Sequence, residues 1–281
     1  MADYKTLDIN CFDPAKIAKS GQAFRFTVID DDHTELVAFG RYLQIARIGK
    51  NRLAFSCSGS EFNRIWKDYF HLDYDYSSLM SKIPEDDRYL KAAADYSFGI
   101  RILRQDNFET LISFIISQRR SIPSIMTSVE RLASFCGHEA LMPDYLGDPF
   151  VRPVKDIYYA FPTADEMSSM SLEDITSLGV GYRASYIESA VRTDPDLNAW
   201  DKLSDEDLFN ALTSLRGVGK KVADCVMLFA YGRYGRFPVD VWMQRIQDRY
   251  YGGRFDISPY PDTAGIIQQF MFFYERNRTI K

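Results

Sequence analysis

Two side chains between positions 215 and 240 are suited to covalent chemistry at a sugar carbon, namely Lys221 and Asp240. Lys221 lies at the start of an apolar helical pattern, where loss of hydration disfavours the ammonium and favours the nucleophilic amine. Asp240 follows a proline and precedes a new apolar stretch, so it can cap a helix and stabilise positive charge on a sugar ring. The pair predicts an enzyme that attacks through a lysine amine.

A glycine turn directly precedes the lysine and contains Gly217 and Gly219. Ser204 and Asp207 predict the start of a helix before the turn, and the apolar pattern predicts another helix after it. Glycine tolerates φ > 0, and neither glycine carries a side chain that would obstruct a phosphate near the free N–H groups of the second helix. We predict a helix-hairpin-helix that binds DNA phosphate, with Lys220 at the phosphate or in solvent; an ordinary turn between helices is the alternative.

The same stretch carries the pattern L-x-G-V-G-x-K-V-A-D-C at residues 215–225 and P-V-D-V at residues 238–241. This pattern resembles that of the helix-hairpin-helix DNA glycosylases and, within them, the 8-oxoguanine DNA glycosylase family. The resemblance implies that Lys221 is the Schiff-base lysine and that Asp240 is the essential aspartate. It also implies that Cys225 packs on the extruded base.

Two further motifs extend the resemblance toward both ends of the chain. Residues 20–25 are similar to the family's S-G-Q-x-F-R, in which the carbonyl of Gly21 accepts a hydrogen bond from N7–H of the oxidised purine. Residues 264–272 resemble A-G-x-x-Q-x-x-x-F, which implies that Gln268 reads the Watson–Crick edge and that Phe272 stacks on the base. Trp242 stands where many members have a histidine, and we expect it to form a wall of the pocket.

The segment at residues 178–183 resembles the part of the family that inserts into the duplex. It implies that Tyr182 fills space beside the flipped base and that Arg183 contacts the unpaired cytosine. Arg119 and Arg120 replace the family's asparagine-rich turn, and Ser124 occupies the place of a later arginine. We expect both arginines to contact the opposite base or its phosphates, and the strictness of cytosine selection stays open.

The distribution of apolar residues predicts an α+β fold. An N-terminal antiparallel β domain at residues 1–98 is expected from alternating apolar patterns, and a mostly helical helix-hairpin-helix region at residues 99–281 from helical periodicity. Capping boxes in this region are predicted at three pairs, Asp106/Glu109, Thr163/Glu166 and Ser171/Asp174.

Composition constrains cofactors, partners and location. The net charge is −5, but residues 214–249 carry seven bases and three acids, so a locally positive face coincides with the hairpin.

Cysteine and histidine spacings fit no zinc or iron–sulfur motif, so we expect no cofactor and no catalytic metal. The resemblance allows a structural cation at the backbone carbonyls of Leu215 and Val218. We expect a monomer that binds duplex DNA with oxidised guanine, without a membrane span, in the cytoplasm (at the nucleoid if the source is bacterial).

Two alternatives remain at this point. A glycosylase of the same superfamily could remove another damaged purine, such as an alkylated base, although those enzymes usually lack a lysine at the position of Lys221. A non-catalytic module could bind damaged DNA, and it would not need the lysine amine.

Overall fold

The computed structural model describes residues 4–193 and 195–279, and it begins with an antiparallel sheet. The strands are β1 Lys5–Asp8, β2 Phe26–Val28, β3 His33–Ala38, β4 Arg41–Arg47 and β5 Arg52–Phe55. Their spatial order is β1-β5-β4-β3-β2. Turns at Asp30–Asp32 and Ile48–Asn51 separate β2 from β3 and β4 from β5.

Helices make up most of the rest of the described chain, which confirms the α+β prediction. The α-helices are α1 Pro14–Lys19, α2 Gly59–Glu61, α3 Lys67–Tyr69, α4 Tyr76–Ser81, α5 Arg88–Tyr96, α6 Asn107–Ser117, α7 Ile122–Cys136, α8 Ala164–Met167, α9 Leu172–Ile175, α10 Ala184–Thr193, α11 Asp205–Ser214, α12 Lys220–Phe229, α13 Val241–Tyr250 and α14 Ala264–Thr279. Helix α1 connects β1 to β2, and a π-helical turn at Phe62–Trp66 joins α2 to α3.

Helix α6 forms the centre of the helical core. Seven consecutive residues, from Thr110 to Ile116, are buried, and α6 packs against α7 and α12. Asp106 caps its N-terminus by accepting a hydrogen bond from the backbone N–H of Glu109 at 2.8 Å. The structure confirms the full capping boxes at Thr163/Glu166 and Ser171/Asp174. At Asp106 the capping bond is present without the reciprocal one.

Both faces of the sheet are covered. Phe55 on one face packs with Trp66 and Phe70 in a separate core cluster. The other face is covered by a segment at residues 138–160, which pairs with the sheet through a bridge between Arg41 and Leu141. A segment of the predicted helical region thus packs on the predicted β domain, and the boundary between residues 98 and 99 stays a prediction.

A buried carboxylate fastens this segment to the sheet. Glu35 on β3 accepts hydrogen bonds from the hydroxyl of Tyr42 at 2.9 Å and from that of Tyr158 at 2.7 Å. The two tyrosine rings lie 4.7 Å apart, centroid to centroid. Among the described residues, no helix is both long enough and apolar enough to cross a membrane.

Candidate active site

A cleft of about 1010 Å³ lies between the start of α12, the start of α13 and the middle of α14. It brings together residues that are far apart in the chain, because these helices and the loop after α6 converge there. Nine of the residues predicted from the sequence to form the site line it: Gly21, Arg119, Arg120, Gly219, Lys220, Lys221, Asp240, Trp242 and Phe272.

Lys221 lies in the first turn of α12, with its side chain over an aromatic wall. Its Nζ is 5.0 Å from the centroid of the Phe114 ring. Phe114 in turn stacks on Phe229 at 5.5 Å and meets Phe24 edge-on at 5.6 Å. The predicted apolar environment of the lysine is therefore present, and Phe114 supplies it. The sequence indicated Phe114 only as a core residue of α6.

Cys225 lies one helical turn after Lys221 and is 3% exposed. Burial raises the pKa of its thiol to about 11, an effect that the nearby Lys221 charge opposes and the Asp240 carboxylate reinforces. Both predicted catalytic residues are thus close enough to influence the same sulfur. The thiol stays protonated at neutral pH, so it packs as an apolar side chain and is not a nucleophile. Cys225 does not line the cleft in this structure.

Asp240 caps the N-terminus of α13, as the sequence predicted. Its Oδ1 accepts a hydrogen bond from the backbone N–H of Met243 at 2.9 Å. The preceding Pro238 is buried, and its fixed φ helps to orient the chain into the helix. The cap holds the carboxylate at the edge of the cleft with one oxygen directed to the helix.

The neighbouring Asp224 has a different environment from Asp240. It is 3% exposed and accepts a hydrogen bond from Nε of Arg236 at 2.9 Å. Burial raises the pKa of this carboxyl, and the Arg236 charge opposes the rise. Asp224 therefore holds the loop that leads to α13 and is not a solvated helix residue.

The glycine turn at residues 215–219 joins α11 to α12, as predicted. Gly217 has a φ of +83°, and a Cβ there would lie 2.3 Å from Cγ of Tyr186. Gly219 has a φ of −89° and is the N-cap of α12. No atom of the described residues lies within 4 Å of the position that a Cβ on Gly219 would take. Gly217 thus serves packing, whereas Gly219 leaves the start of α12 open.

The hydrogen bonds of the backbone carbonyls in the turn indicate which of them could bind the expected cation. The Leu215 carbonyl accepts a hydrogen bond from the N–H of Val218 at 3.1 Å, and the Gly217 carbonyl accepts one from the Gln118 amide at 3.1 Å. The Val218 carbonyl accepts none from the described residues. Leu215 and Val218 therefore retain lone pairs that fit a cation. Elsewhere in the described chain, no group of three or more His, Cys, Asp or Glu side chains could hold a metal.

Some of the predicted base-contacting residues line the cleft, and others lie behind its surface. Gly21 and Phe272 line the cleft, and Trp242 lines it from the first turn of α13. Trp242 also lies beneath Arg245, whose guanidinium is 5.5 Å from the ring. Gln268, one turn before Phe272 on α14, is 6% exposed and does not line the cleft in this structure.

The two arginines after α6 have different surroundings. Arg119 is exposed and has a φ of +53°, which is uncommon for a residue with a side chain. Arg120 is held within the protein, where its guanidinium donates to Ser124 Oγ at 2.9 Å, Ser128 Oγ at 3.0 Å and the Gly179 carbonyl at 2.9 Å. Arg120 therefore joins α7 to the segment at residues 178–183, a role that the sequence did not indicate.

Tyr182 and Arg183 lie next to each other at the tip of that segment. Tyr182 is 55% exposed, and the guanidinium of Arg183 lies 4.4 Å from its ring centroid. Arg183 itself is buried and donates hydrogen bonds to the carbonyls of Val180 and Gln118. Only the tyrosine is presented to solvent in this structure, so a contact between Arg183 and DNA requires that these hydrogen bonds change.

Comparisons with known proteins agree with this geometry. The sequence model for the N-terminal domain of 8-oxoguanine DNA glycosylase matches residues 6–111. A protein described as a probable N-glycosylase/DNA lyase from Methanothermobacter thermautotrophicus is 30% identical over 230 residues, which are 74% of this chain and 72% of that protein.

Two solved structures match over nearly the whole chain. A structure of MBOgg1 in complex with a low-affinity DNA ligand has 32% identity, covers 99% of both chains and gives a TM-score of 0.87. The 8-oxoguanine glycosylase/lyase of Clostridium acetobutylicum, in complex with duplex DNA containing cytosine opposite 8-oxoG, has 29% identity and a TM-score of 0.87, with coverage of 99% and 97%. With the fold, the cleft and these relatives in agreement, the chain belongs to the 8-oxoguanine DNA glycosylase family.

Proposed function

We propose that this protein is a bifunctional DNA glycosylase and AP lyase that excises 8-oxoguanine from duplex DNA in base excision repair. The observation that carries the proposal is the position of Lys221, which lines one cleft with Asp240, Gly21 and Phe272. A flipped nucleotide needs a deep pocket beside a nucleophile, because the reacting sugar carbon is inaccessible within the duplex.

The first chemical step joins the lysine to the sugar. The free amine of Lys221 attacks C1′ of the flipped nucleotide, the bond from C1′ to the base breaks, and its electron pair leaves with the base, which takes up a proton. Asp240 stabilises the positive charge that develops on the sugar, since its carboxylate is fixed at the N-terminus of α13. The ring then opens to give an imine between Lys221 and C1′.

The second step breaks the strand. The imine makes the 2′ proton acidic, a base removes it, and the bond from C3′ to the phosphate oxygen breaks by β-elimination. Water then hydrolyses the imine and regenerates the amine of Lys221. The residues around the lysine position the sugar, and Phe114 limits the access of water to the amine.

The hairpin and the positive face would hold the duplex around this site. We assign phosphate binding to the open N-terminus of α12 at Gly219, with Lys220 beside it. The turn at Gly217, a cation at Leu215 and Val218, and DNA contacts by Arg119, Arg120, Tyr182 and Arg183 are further parts of the proposal. Gln268, Cys225 and Trp242 are proposed to contact the base. A monomer at the nucleoid or elsewhere in the cytoplasm fits these assignments.

Borohydride trapping tests the chemistry directly. Duplexes with one 8-oxoguanine opposite each of the four bases would be mixed with the protein and reductant, and the covalent complex resolved by denaturing electrophoresis. We expect a complex that disappears in Lys221→Gln, because only an imine at this lysine can be reduced. Lys220→Gln is the matched control, and it should still trap.

Other outcomes would contradict specific parts of the proposed function. If Lys220→Gln alone abolished trapping, the nucleophile would be the other lysine. If folded wild-type protein released no 8-oxoguanine but released alkylated purines, the substrate would be wrong. If it bound lesion DNA without base release or trapping, the protein would be a binding module.

A further inference from the structure

Arg276 lies one helical turn after Phe272 on α14 and lines the same cleft. Its guanidinium carbon is 5.5 Å from the centroid of the Phe272 ring. The arginine is therefore a direct neighbour of the aromatic ring that we propose stacks on the base. None of the motifs in the sequence indicated it.

One terminal nitrogen of this guanidinium forms a hydrogen bond within the protein, and the other does not. Nη2 donates a hydrogen bond to the carbonyl of Lys19, whereas Nη1 is buried and has no hydrogen-bond partner among the described residues. In the part of the chain that the structure describes, no carboxylate forms a salt bridge with Arg276. Burial lowers the pKa of the guanidinium. A buried donor that lacks an acceptor is costly, which is a reason to look for a ligand that supplies one.

The glycine that the unpaired donor contacts carries an unpaired acceptor. Nη1 lies 2.9 Å from the position that a Cβ on Gly21 would occupy, so it packs against the α-carbon of that glycine. The carbonyls of Ser20 and Gln22 accept hydrogen bonds from the amides of Gln269 and Gln105. The Gly21 carbonyl accepts none from the described residues.

We propose that Arg276 is a second lesion-reading residue, whose Nη1 donates to the C8 carbonyl oxygen of an oxidised purine while the Gly21 carbonyl accepts from N7–H. This inference rests on the proposed function. Oxidation at C8 gives a purine an adjacent N–H donor and carbonyl acceptor, which complement the adjacent acceptor and donor of the cleft wall. Unmodified guanine has a C8–H and a lone pair at N7, so it leaves both groups of the wall poorly matched.

The position of Arg276 favours a base over a phosphate. A phosphate-binding arginine is ordinarily exposed, whereas Nη1 is inaccessible to solvent and packs against Gly21, with the guanidinium beside the Phe272 ring. A hydrogen bond from Nη1 to the base therefore requires that the guanidinium or its neighbours shift when the base enters the cleft. The hydrogen bond from Nη2 to Lys19 also fixes the plane of the guanidinium, so Nη1 has a defined direction.

Binding measurements in a Lys221→Gln background test the inference without catalysis. Three duplexes would carry 8-oxoguanine, guanine or a tetrahydrofuran abasic analogue opposite cytosine, and dissociation constants would come from fluorescence anisotropy. We expect Arg276→Met to weaken binding of the 8-oxoguanine duplex about tenfold, the typical effect of losing a charged hydrogen bond. Binding of the other two duplexes should change less than about twofold.

A control and a second variant keep the test decisive. Arg278→Met removes an arginine two residues later whose Nη2 donates to the Tyr250 hydroxyl at 2.7 Å, and it should leave all three affinities unchanged. If Arg276→Met fails to fold, Arg276→Lys replaces it, because lysine keeps the charge but lacks the rigid pair of terminal nitrogens by which arginine would bond the Lys19 carbonyl and the lesion separately. We expect the same selective loss.

Two results would overturn the inference. An equal loss on all three duplexes would identify a phosphate contact, and an unchanged preference for 8-oxoguanine would show that Arg276 does not read the lesion. If the Lys221→Gln protein itself showed no preference for 8-oxoguanine over guanine, the proposed function would fail instead.

Discussion

The ring of Tyr186 occupies the space that a side chain at Gly217 would need, with Cγ only 2.3 Å from the ideal Cβ position. Tyr186 lies on α10, so the hairpin turn rests on a helix from another part of the chain. The guanidinium of Arg216 also approaches this ring, at 5.8 Å from its centroid. The turn is therefore held from behind by an aromatic ring, while its other side, at Gly219, is open.

The two glycines of the hairpin should respond differently to alanine. Gly217→Ala combines a φ of +83° with a clash against a ring, and we expect it to lower the free energy of unfolding by about 2–4 kcal/mol. Gly219→Ala has an ordinary φ and free space, so its stability should change by less than about 1 kcal/mol. Its affinity for DNA should nevertheless fall, because a methyl group would stand where the phosphate approaches. Urea denaturation and anisotropy on one duplex measure both effects, and a stable Gly217→Ala would contradict the packing argument.

The two roles of Asp240 can be separated by two substitutions. Asp240→Asn keeps an oxygen that can accept from Met243 N–H, so stability should be nearly unchanged. Asp240→Ala loses the cap and should lose about 1 kcal/mol. Both remove the charge, and both should slow single-turnover base release about 100-fold or more. If Asp240→Asn kept the wild-type rate, the carboxylate would serve the helix alone.

The basic residues of the cleft should differ in the salt dependence of binding. Lys220 is exposed at the start of α12, and Lys220→Gln should reduce the slope of log K against log salt by about 0.9, the value for one phosphate contact. Arg120→Gln should weaken DNA binding and, unlike Lys220→Gln, should also lower stability by about 1–3 kcal/mol, because it removes bonds to Ser128 and the Gly179 carbonyl. Titrations at several salt concentrations, with denaturation curves, distinguish the two. An unchanged slope in Lys220→Gln would argue against its phosphate contact.

A partly buried acid on α6, Glu109, predicts the pH dependence of stability. Burial raises the pKa of Glu109 to about 7, assisted by Asp106 and Glu130 and opposed by Arg25. Between the ordinary carboxyl pKa of 4.5 and this value, the folded state binds a proton that the unfolded state has released. Stability should therefore fall as pH rises through this window.

Glu109→Gln tests this prediction. The variant should lose this component of the pH dependence and should be more stable than the wild type at pH 8, by on the order of 2 kcal/mol. Denaturation midpoints at pH 5, 6, 7 and 8 are the measurement. A wild type and variant with parallel pH profiles would show that Glu109 does not titrate in this range.

The sequence predicted the helix positions of the two proposed catalytic residues because the information for those positions is local. Lys221 follows a glycine turn and begins an apolar helix, and Asp240 stands at a helix start, so position along the chain sufficed. Which of the two turn glycines needs a positive φ could not be predicted, because a pair of glycines carries no signal that distinguishes Gly217 from Gly219. The internal hydrogen bonds of Arg120 and Arg183 depend on tertiary contacts that no periodicity encodes.

The spacing of residues along α14 contains a signal for Arg276. Gln268, Phe272 and Arg276 are spaced by four residues on α14, so one face of that helix carries all three. An arginine on the same face as two expected base-contacting residues could have been included from spacing alone. Its unpaired Nη1, by contrast, becomes visible only when α14 is placed against the turn at Gly21.

The segment at residues 138–160 has a practical consequence for dissecting the molecule. It belongs to the helical region by sequence, but its Tyr158 and Phe150 side chains are buried against the sheet. A fragment that starts at residue 99 would expose these rings, and one that stops at residue 98 would expose a face of its sheet and the Glu35 carboxylate. Neither half is suited to separate expression or to exchange with a relative, so chimaeras should carry the sheet and this segment together.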